Sequence, residues 1–360
     1  MSTVKRASTE SSAPHKPRLG FVGLGWIGRN RLESIVEAGV AEVAAVHDVA
    51  IAAGAEAQKL SPEAVLFSSF DELLKHDLDG VVIATPNRFH AEQSIAALEQ
   101  GIAVFCQKPL ARNAFETRRV VEAARRADCL LGVDLTYGAM PAMRKVHRLV
   151  QSGELGKIFA IDAKFHNGYG PDKAWFYDYS LAGGGCVLDL GSHLIDLALR
   201  PLGFPRIAHV QSSLFATGEV EDYATAMIET IEGTVINLSC CWKMHVGREA
   251  DIEIGFYGTE GGAKLRNVDG SFYDFVAERF RGTKTELLSG PQDGWGGLAT
   301  IEWINRIDEG FDPAAEHYVE LAEVIDSVYE QFSRKGAKTD AKTQIRRDLV
   351  FAPLREIFLP

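Results

Sequence analysis

The sequence predicts an α/β chain: a doubly wound parallel sheet at the N-terminus, then an α+β region whose mainly antiparallel, open sheet is covered by helices on one face. Three observations carry this. Short apolar runs alternate with helical patterns from Arg18 to about Val133, and strands without polar alternation suit a parallel sheet covered on both sides. Beyond about residue 155, β-rich segments follow one another through short turns, which favours antiparallel pairing. A glycine-rich hexapeptide, Gly23-Leu24-Gly25-Trp26-Ile27-Gly28, joins the first apolar run to the first helical pattern.

The expected strands of the first region are 18–23, 41–47, 65–68, 79–84, 102–106 and 129–133, with helices near 26–38, 50–60, 70–76, 88–100 and 112–127. Gly39 and Gly101 stand where helix C-caps are expected. The second region has expected strands at 157–166, 206–216, 222–231, 234–243, 250–257, 262–266 and 271–276, and helices near 139–152, 184–200 and 313–332. Residues 277–312 have no clear periodicity. A chain of 360 residues exceeds the size at which one core keeps growing. The expected division is a disordered tail at 1–17, a doubly wound domain at 18–138, an α+β domain at 139–333, and a C-terminal extension at 334–360.

A net charge of −11 argues against nucleic acid or anionic lipid as partners. The chain has no apolar run long enough for a membrane span. Its first residues lack the apolar core of a signal peptide, so a cytoplasmic location is expected. The five cysteines, Cys106, Cys129, Cys186, Cys240 and Cys241, form no C-x-x-C pair. They read as buried thiols in a reducing compartment, and no metal is expected.

The glycine hexapeptide has a physical reading. Gly23 permits the tight turn, Gly25 lets backbone approach a pyrophosphate, and Gly28 lets the helix pack on its strand. Free N–H groups and the helix dipole then favour phosphate, with Trp26 and Ile27 in the same turn. Asp48 ends the second strand twenty residues after Gly28. There it suits both ribose hydroxyls and repels a 2′-phosphate, so NAD is favoured over NADP. Arg29 and Arg31 leave a phosphate contact open.

Two more loops follow strand ends, where open α/β sheets bind ligands. One carries Thr85, Pro86, Asn87 and His90; the other carries Gln107 and Lys108. Each also reads as a plain turn or cap. Three glycines at 183–185 precede a helical pattern in which Asp189 and His193 are four apart, the spacing of neighbours on one helix face. A carboxylate beside an imidazole suits proton transfer, and equally a buried histidine satisfied within its own helix.

GFVGLGWIG, ATPNRFH, QKPL and GGGCVLDLGSHLID, in this order, resemble the glucose–fructose oxidoreductase / inositol dehydrogenase (Gfo/Idh/MocA) family. The resemblance runs from Arg18 to about 332. It implies a Rossmann domain, a second domain whose sheet forms a homodimer or homotetramer interface, and NAD(P)-dependent hydride transfer at a hydroxyl or ketone carbon of a sugar, sugar derivative or cyclitol. It further implies that Lys108, Asp189 and His193 form the catalytic trio: Lys108 and His193 as acid/base groups, Asp189 orienting. Gly23, Gly25, Trp26, Ile27, Gly28, Asp48, Thr85, Pro86, Asn87, His90, Gln107 and Lys108 are then the expected cofactor residues. Tyr137, Asn167, Lys173, Trp175, Asp189 and His193 are the expected substrate residues, with His166 and Tyr177 as further aromatic or polar candidates.

Two departures stand out. The family commonly has Glu before Lys-Pro, where this chain has Gln107, and an amide supports a charged lysine less than a carboxylate does. Near Leu135 the family often has Arg or Asn, where this chain offers Asp134 and Tyr137. Two other functions remain open at this point: a dehydrogenase of a non-carbohydrate alcohol such as a dihydrodiol, and a non-catalytic NAD-sensing regulator. Lys108, Asp189 and His193 argue against the regulator, and Gln107 argues for it.

Overall fold

The computed structural model describes residues 16–291 and 296–337, with side chains to residue 330. The expected N-terminal tail, apart from its last two residues, lies outside the described residues, as do Trp295 and nearly all of the C-terminal extension.

The first unit runs β1 (Arg18–Val22), α1 (Trp26–Ala38), β2 (Glu42–His47), α2 (Ile51–Leu60), β3 (Val65–Leu66), α3 (Phe70–Leu73), β4 (Gly80–Ile83), α4 (Asn87–Leu98), β5 (Ala103–Gln107), α5 (Ala114–Ala127) and β6 (Leu131–Asp134). Its six strands are all parallel, in the order β3-β2-β1-β4-β5-β6. Strand β4 is buried throughout and β1 nearly so, as covering helices require. The order reverses between β1 and β4, which opens a crevice at the carboxyl ends of these strands.

The second unit begins with α6 (Thr136–Ala139), α7 (Pro141–Gln151), β7 (Ile158–Asn167), α8 (Tyr179–Ala182) and α9 (Ser192–Leu199). It continues through β8 (Ile207–Ala216), β9 (Glu221–Thr230), β10 (Val235–Cys241), β11 (Ala250–Gly258), β12 (Gly262–Asn267), β13 (Phe275–Arg281) and β14 (Lys284–Ser289) to α10 (Leu298–Ile304) and α11 (Glu316–Ala337). The eight strands lie in the order β14-β13-β12-β11-β7-β10-β9-β8. All neighbours are antiparallel except β7 and β10. Ile161, Ala163 and Phe165 of β7 face the helices beside Ile236, Leu238 and Cys240 of β10. The opposite face carries charge ladders in which Lys164 meets Asp251 and Glu253, and Arg266 meets Glu278.

Three expectations need correction. Residues 277–312 hold regular structure: most of β13, all of β14, and α10. β14 is an edge strand exposed along most of its length, so it lacks the apolar periodicity that marks a buried strand. The helix expected at 184–200 is not a continuous amphipathic one. Val187–Gly191 forms a π-helical turn, and α9 is buried at all eight positions. Finally, α10 packs back on the first sheet. Trp303 lies 5.6 Å from the Phe105 ring, and a Cβ at Gly80 or Gly132 would fall within 2.8 Å of the indole. Small residues on β4 and β6 therefore make its seat. Helix α11 packs on both α5 and β8, and Asp326 accepts from the Ala114 amide at 3.0 Å. These two helices tie the units together.

Candidate functional site

The glycine turn follows β1. Gly23 has φ +82°, and a Cβ there would sit 2.5 Å from the Ala84 backbone. A Cβ at Gly28 would lie 2.0 Å from the Gly23 carbonyl oxygen. These two glycines hold the turn against β4. Gly25 differs: a Cβ there would meet nothing within 4 Å. Gly25 is the N-cap of α1, no side chain caps that end, and no acidic residue stands in the first turn. Trp26 is 62% exposed beside it. Uncapped amides over an open cradle fit a pyrophosphate.

Asp48 closes the same turn from β2. Its Oδ2 accepts from the Leu24 N–H at 2.6 Å, and its Oδ1 from the Ala50 N–H at 2.7 Å. The carboxylate is thereby fixed at the carboxyl end of β2, and each oxygen keeps a lone pair for a ribose hydroxyl. Arg29 pairs with Glu33 on the surface. Arg31 is not a surface residue: it is 1% exposed, and its Nε donates to Asp134 Oδ2 at 2.6 Å. Its expected availability to phosphate is corrected accordingly, because an inward guanidinium already paired with a carboxylate is not presented to the turn.

In the β4–α4 loop, Thr85 Oγ1 donates to Gln93, and Pro86 is the N-cap of α4. Asn87 and His90 both bond to backbone carbonyls of other loops or turns. Asn87 Nδ2 donates to the Ala182 carbonyl at 2.8 Å, which anchors the triple-glycine turn. His90 is buried, with Nδ1 2.8 Å from the Pro109 carbonyl and Nε2 2.6 Å from that of Thr85. Burial lowers its pKa, against the raising effect of these carbonyls. His90 braces two loops through these carbonyls.

The Lys108-Pro109 peptide is cis. The Lys108 ammonium donates to the Asp189 side chain and, at 2.6 Å, to the Asp189 carbonyl. The two side chains are 16% and 17% exposed. Asp189 Oδ2 accepts from Trp242 Nε1 at 2.8 Å. No hydrogen bond joins Asp189 to His193 among the described residues, so the i,i+4 pairing that the spacing allowed is not made. Across the π turn the carboxylate points to Lys108 and Trp242, and a π turn breaks the i,i+4 alignment of an α-helix. The structure places beside Lys108 a carboxylate from a distant segment, a support the Gln107 position does not supply.

His193 is buried, and its Nδ1 has no partner among the described residues. The ring meets Tyr137 edge-on at 4.9 Å and lies 6.3 Å from Phe165. Burial, then the Lys108 ammonium, then the Arg31 guanidinium hold its pKa well below the ordinary histidine value. The imidazole is therefore neutral at neutral pH. Asn167 ends β7, two residues beyond Phe165 and on the same face by strand alternation. Its Oδ1 is also buried without a partner. Such atoms are costly, at about 1–3 kcal/mol each, and they are what a ligand-binding site leaves unsatisfied.

His166 points to the opposite face of the sheet, where Nε2 is 2.8 Å from Ser239 Oγ. Lys173 is exposed and pairs with its neighbour Asp172. Trp175 stacks on Phe176 at 3.9 Å, and Tyr177 packs 5.4 Å from Trp242. This short segment buttresses the indole that holds Asp189.

Two residues essential to this geometry escaped sequence reading. Trp242 lies 53 positions from Asp189. Glu221 accepts from the amides of Gly185 and Val187 and from Tyr329 Oη at 2.8 Å, and so fixes the turn that leads to Asp189. Neither belongs to a local motif, so only the folded sheet reveals them. Among the described residues no group of three or more His, Cys, Asp or Glu could hold a metal ion, and no helix is long and apolar enough to cross a membrane.

Comparison with known proteins bears on the family and the fold. Residues 17–135 match a family described as an oxidoreductase family with an NAD-binding Rossmann fold, and residues 143–264 match the GFO/IDH/MocA C-terminal domain. A D-glucoside 3-dehydrogenase of Escherichia coli (strain K12) is 29% identical over 205 residues, which is 52% of this chain and 58% of that enzyme. The chain thus spans little more than half of that relative. A putative UDP-kanosamine synthase oxidoreductase subunit of Amycolatopsis mediterranei (strain S699) is 30% identical over 274 residues, covering 69% of this chain and 75% of that protein. The solved structure of a levoglucosan dehydrogenase with NADH and levoglucosan shares the fold, with a TM-score of 0.78 at 23% identity over 89% of this chain and 98% of that one.

Proposed function

Since the chain belongs to the Gfo/Idh/MocA family of NAD-binding oxidoreductases, we propose that it is a dehydrogenase or ketoreductase acting on a hydroxyl or ketone carbon of a sugar, sugar derivative or cyclitol. The observation that carries this reading is the convergence of Lys108, from the first unit, on Asp189 of the second, with neutral His193 nearby.

NAD, when bound, supplies the hydride chemistry. Gly23, Gly25, Gly28 and the first amides of α1 would hold its pyrophosphate, and Asp48 its ribose. The protein's own part is to bind, orient and move a proton. Lys108 donates to the reacting oxygen and stabilises the charge that develops there. His193 is neutral, so it accepts the hydroxyl proton during oxidation and returns it during reduction. Asp189 acts as the anchor of Lys108, with Trp242 locking the carboxylate. Tyr137 and Asn167 would border the sugar, and self-association through the uncovered sheet face is part of the same reading.

The names of the relatives support a carbohydrate substrate over a dihydrodiol. The test is a panel of free sugars, glycosides, nucleotide sugars, cyclitols and dihydrodiols, each offered with NAD and NADP, with the reduced nicotinamide followed by absorbance. Turnover of a carbohydrate with NAD is expected. Turnover of dihydrodiols alone, or tight NAD binding without turnover of any compound, would refute the proposal.

A further inference from the structure

Gln107 and Asp134 are register partners at the carboxyl ends of the adjacent parallel strands β5 and β6. Gln107 Nε2 donates a short hydrogen bond to Asp134 Oδ2, and Arg31 Nε of α1 donates to that same oxygen at 2.6 Å. All three side chains are buried, at 7%, 2% and 1% exposure. The network therefore links the helix of the phosphate turn to the residue immediately before Lys108.

The chemistry of the donors fixes the orientation of the amide. A carboxylate paired with a guanidinium offers only acceptors, so the Gln107 NH2 must face it. Its planar amide then leaves Oε1 as the acceptor at the end of β5, directly before Lys108. A glutamate at 107 would set two carboxylates against one guanidinium in a buried place, which disfavours charge on both.

We propose that Asp134 is a positioning residue. Held by Arg31, it locks Gln107 so that a single acceptor, Oε1, stands beside Lys108 to receive an N–H or O–H of a ligand in the crevice. The single carboxylate of this buried pair must then occupy one of the two positions, 107 or 134, and not both. This deepens the dehydrogenase reading and rests on it for the ligand's identity. The network itself is legible without turnover.

The test is a charge transposition, read by NADH affinity, by KM and kcat on whichever sugar the panel yields, and by melting temperature. Gln107→Glu is expected to weaken NADH binding or kcat/KM by about 30-fold or more. The double variant Gln107→Glu/Asp134→Asn restores one carboxylate and one amide, and is expected to recover to within about fivefold of the parent. Loss seen in NADH affinity assigns the donor to the cofactor. Loss confined to the sugar KM assigns it to a substrate hydroxyl. Should the double variant not fold, Gln107→Met keeps the Arg31–Asp134 pair. A loss of about tenfold in either readout at an unchanged melting temperature then supports the proposal. A Gln107→Glu protein within about threefold of the parent, a folded double variant no better than Gln107→Glu, or a parent-like Gln107→Met would overturn it. NADH affinity is measured without a sugar, so if every sugar in the panel fails, a Gln107→Glu protein that binds NADH within about threefold of the parent overturns the proposal, and the two readings fail separately.

Discussion

Replacing Lys108 with Met keeps most of the side-chain volume and removes only the ammonium. In the folded chain that ammonium gives two hydrogen bonds to Asp189, from a position 16% exposed. Two costs follow, and they separate in measurement. The stability cost is that of leaving a largely buried carboxylate short of a donor. Asp189 retains Trp242 at 2.8 Å, so the loss is about 1–3 kcal/mol. The catalytic cost is loss of the donor to the reacting oxygen, which is worth about 100- to 1,000-fold in turnover, or about 2.7–4 kcal/mol. Initial rates with NAD and the best sugar of the panel measure the second cost, and thermal unfolding measures the first. NADH fluorescence should give a dissociation constant within about threefold of the parent, because the proposed pyrophosphate and ribose contacts are untouched. A variant that turns over at the parental rate would remove Lys108 from the chemistry. One that loses turnover only in proportion to NADH binding would make it a cofactor ligand and nothing more.

Asp48→Ser removes the charge facing the proposed ribose site, and the ratio of NAD to NADP affinity should fall by about tenfold or more; an unchanged ratio counts against the ribose assignment. Trp242→Phe deletes the 2.8 Å donor to Asp189 Oδ2 and should lower kcat by about 10- to 100-fold, as expected for a hydrogen bond to a charged group; parental kcat in a folded variant would show that Asp189 needs no such lock. His193 has a folded pKa depressed below 6.5, so the unfolded chain takes up a proton on acidification that the native state does not. Stability is thus full above about pH 6.5 and declines below it, by up to about 1.4 kcal/mol per pH unit for this group. Calorimetry between about pH 8 and pH 5 should show a melting temperature that falls on the acid side, less steeply in His193→Phe. A slope unchanged by that substitution would mean the ring is not held neutral by the fold.

The parts of the site that could be read in sequence are those whose chemistry is local. The phosphate turn needs Gly28 within a few residues of Gly23, because a Cβ at Gly28 would strike the Gly23 carbonyl oxygen. Strands such as β4 announce themselves because they are apolar on both faces. β14 did not, because an exposed edge strand carries no apolar signal. The spacing of Asp189 and His193 suggested a shared helix face. The π turn gave Asp189 to Lys108 and Trp242 instead, and spacing alone does not reveal a π turn. Asn87 and His90 had the residue types of ligand contacts, and the fold adds a bond from each to a distant carbonyl that spacing does not reveal.

The sequence by itself determined the two kinds of sheet, the order of the elements of the first, the phosphate turn and the family to which the chain belongs, since each is written in short-range patterns of glycine, apolar residues and charge. Tertiary structure alone decided which groups meet. Lys108 finds Asp189 across 81 positions, and Arg31 finds Asp134 across 103. Hydrogen bonds depend on distances of a few ångströms and on orientation, and chain separation carries neither until the two sheets are packed against each other.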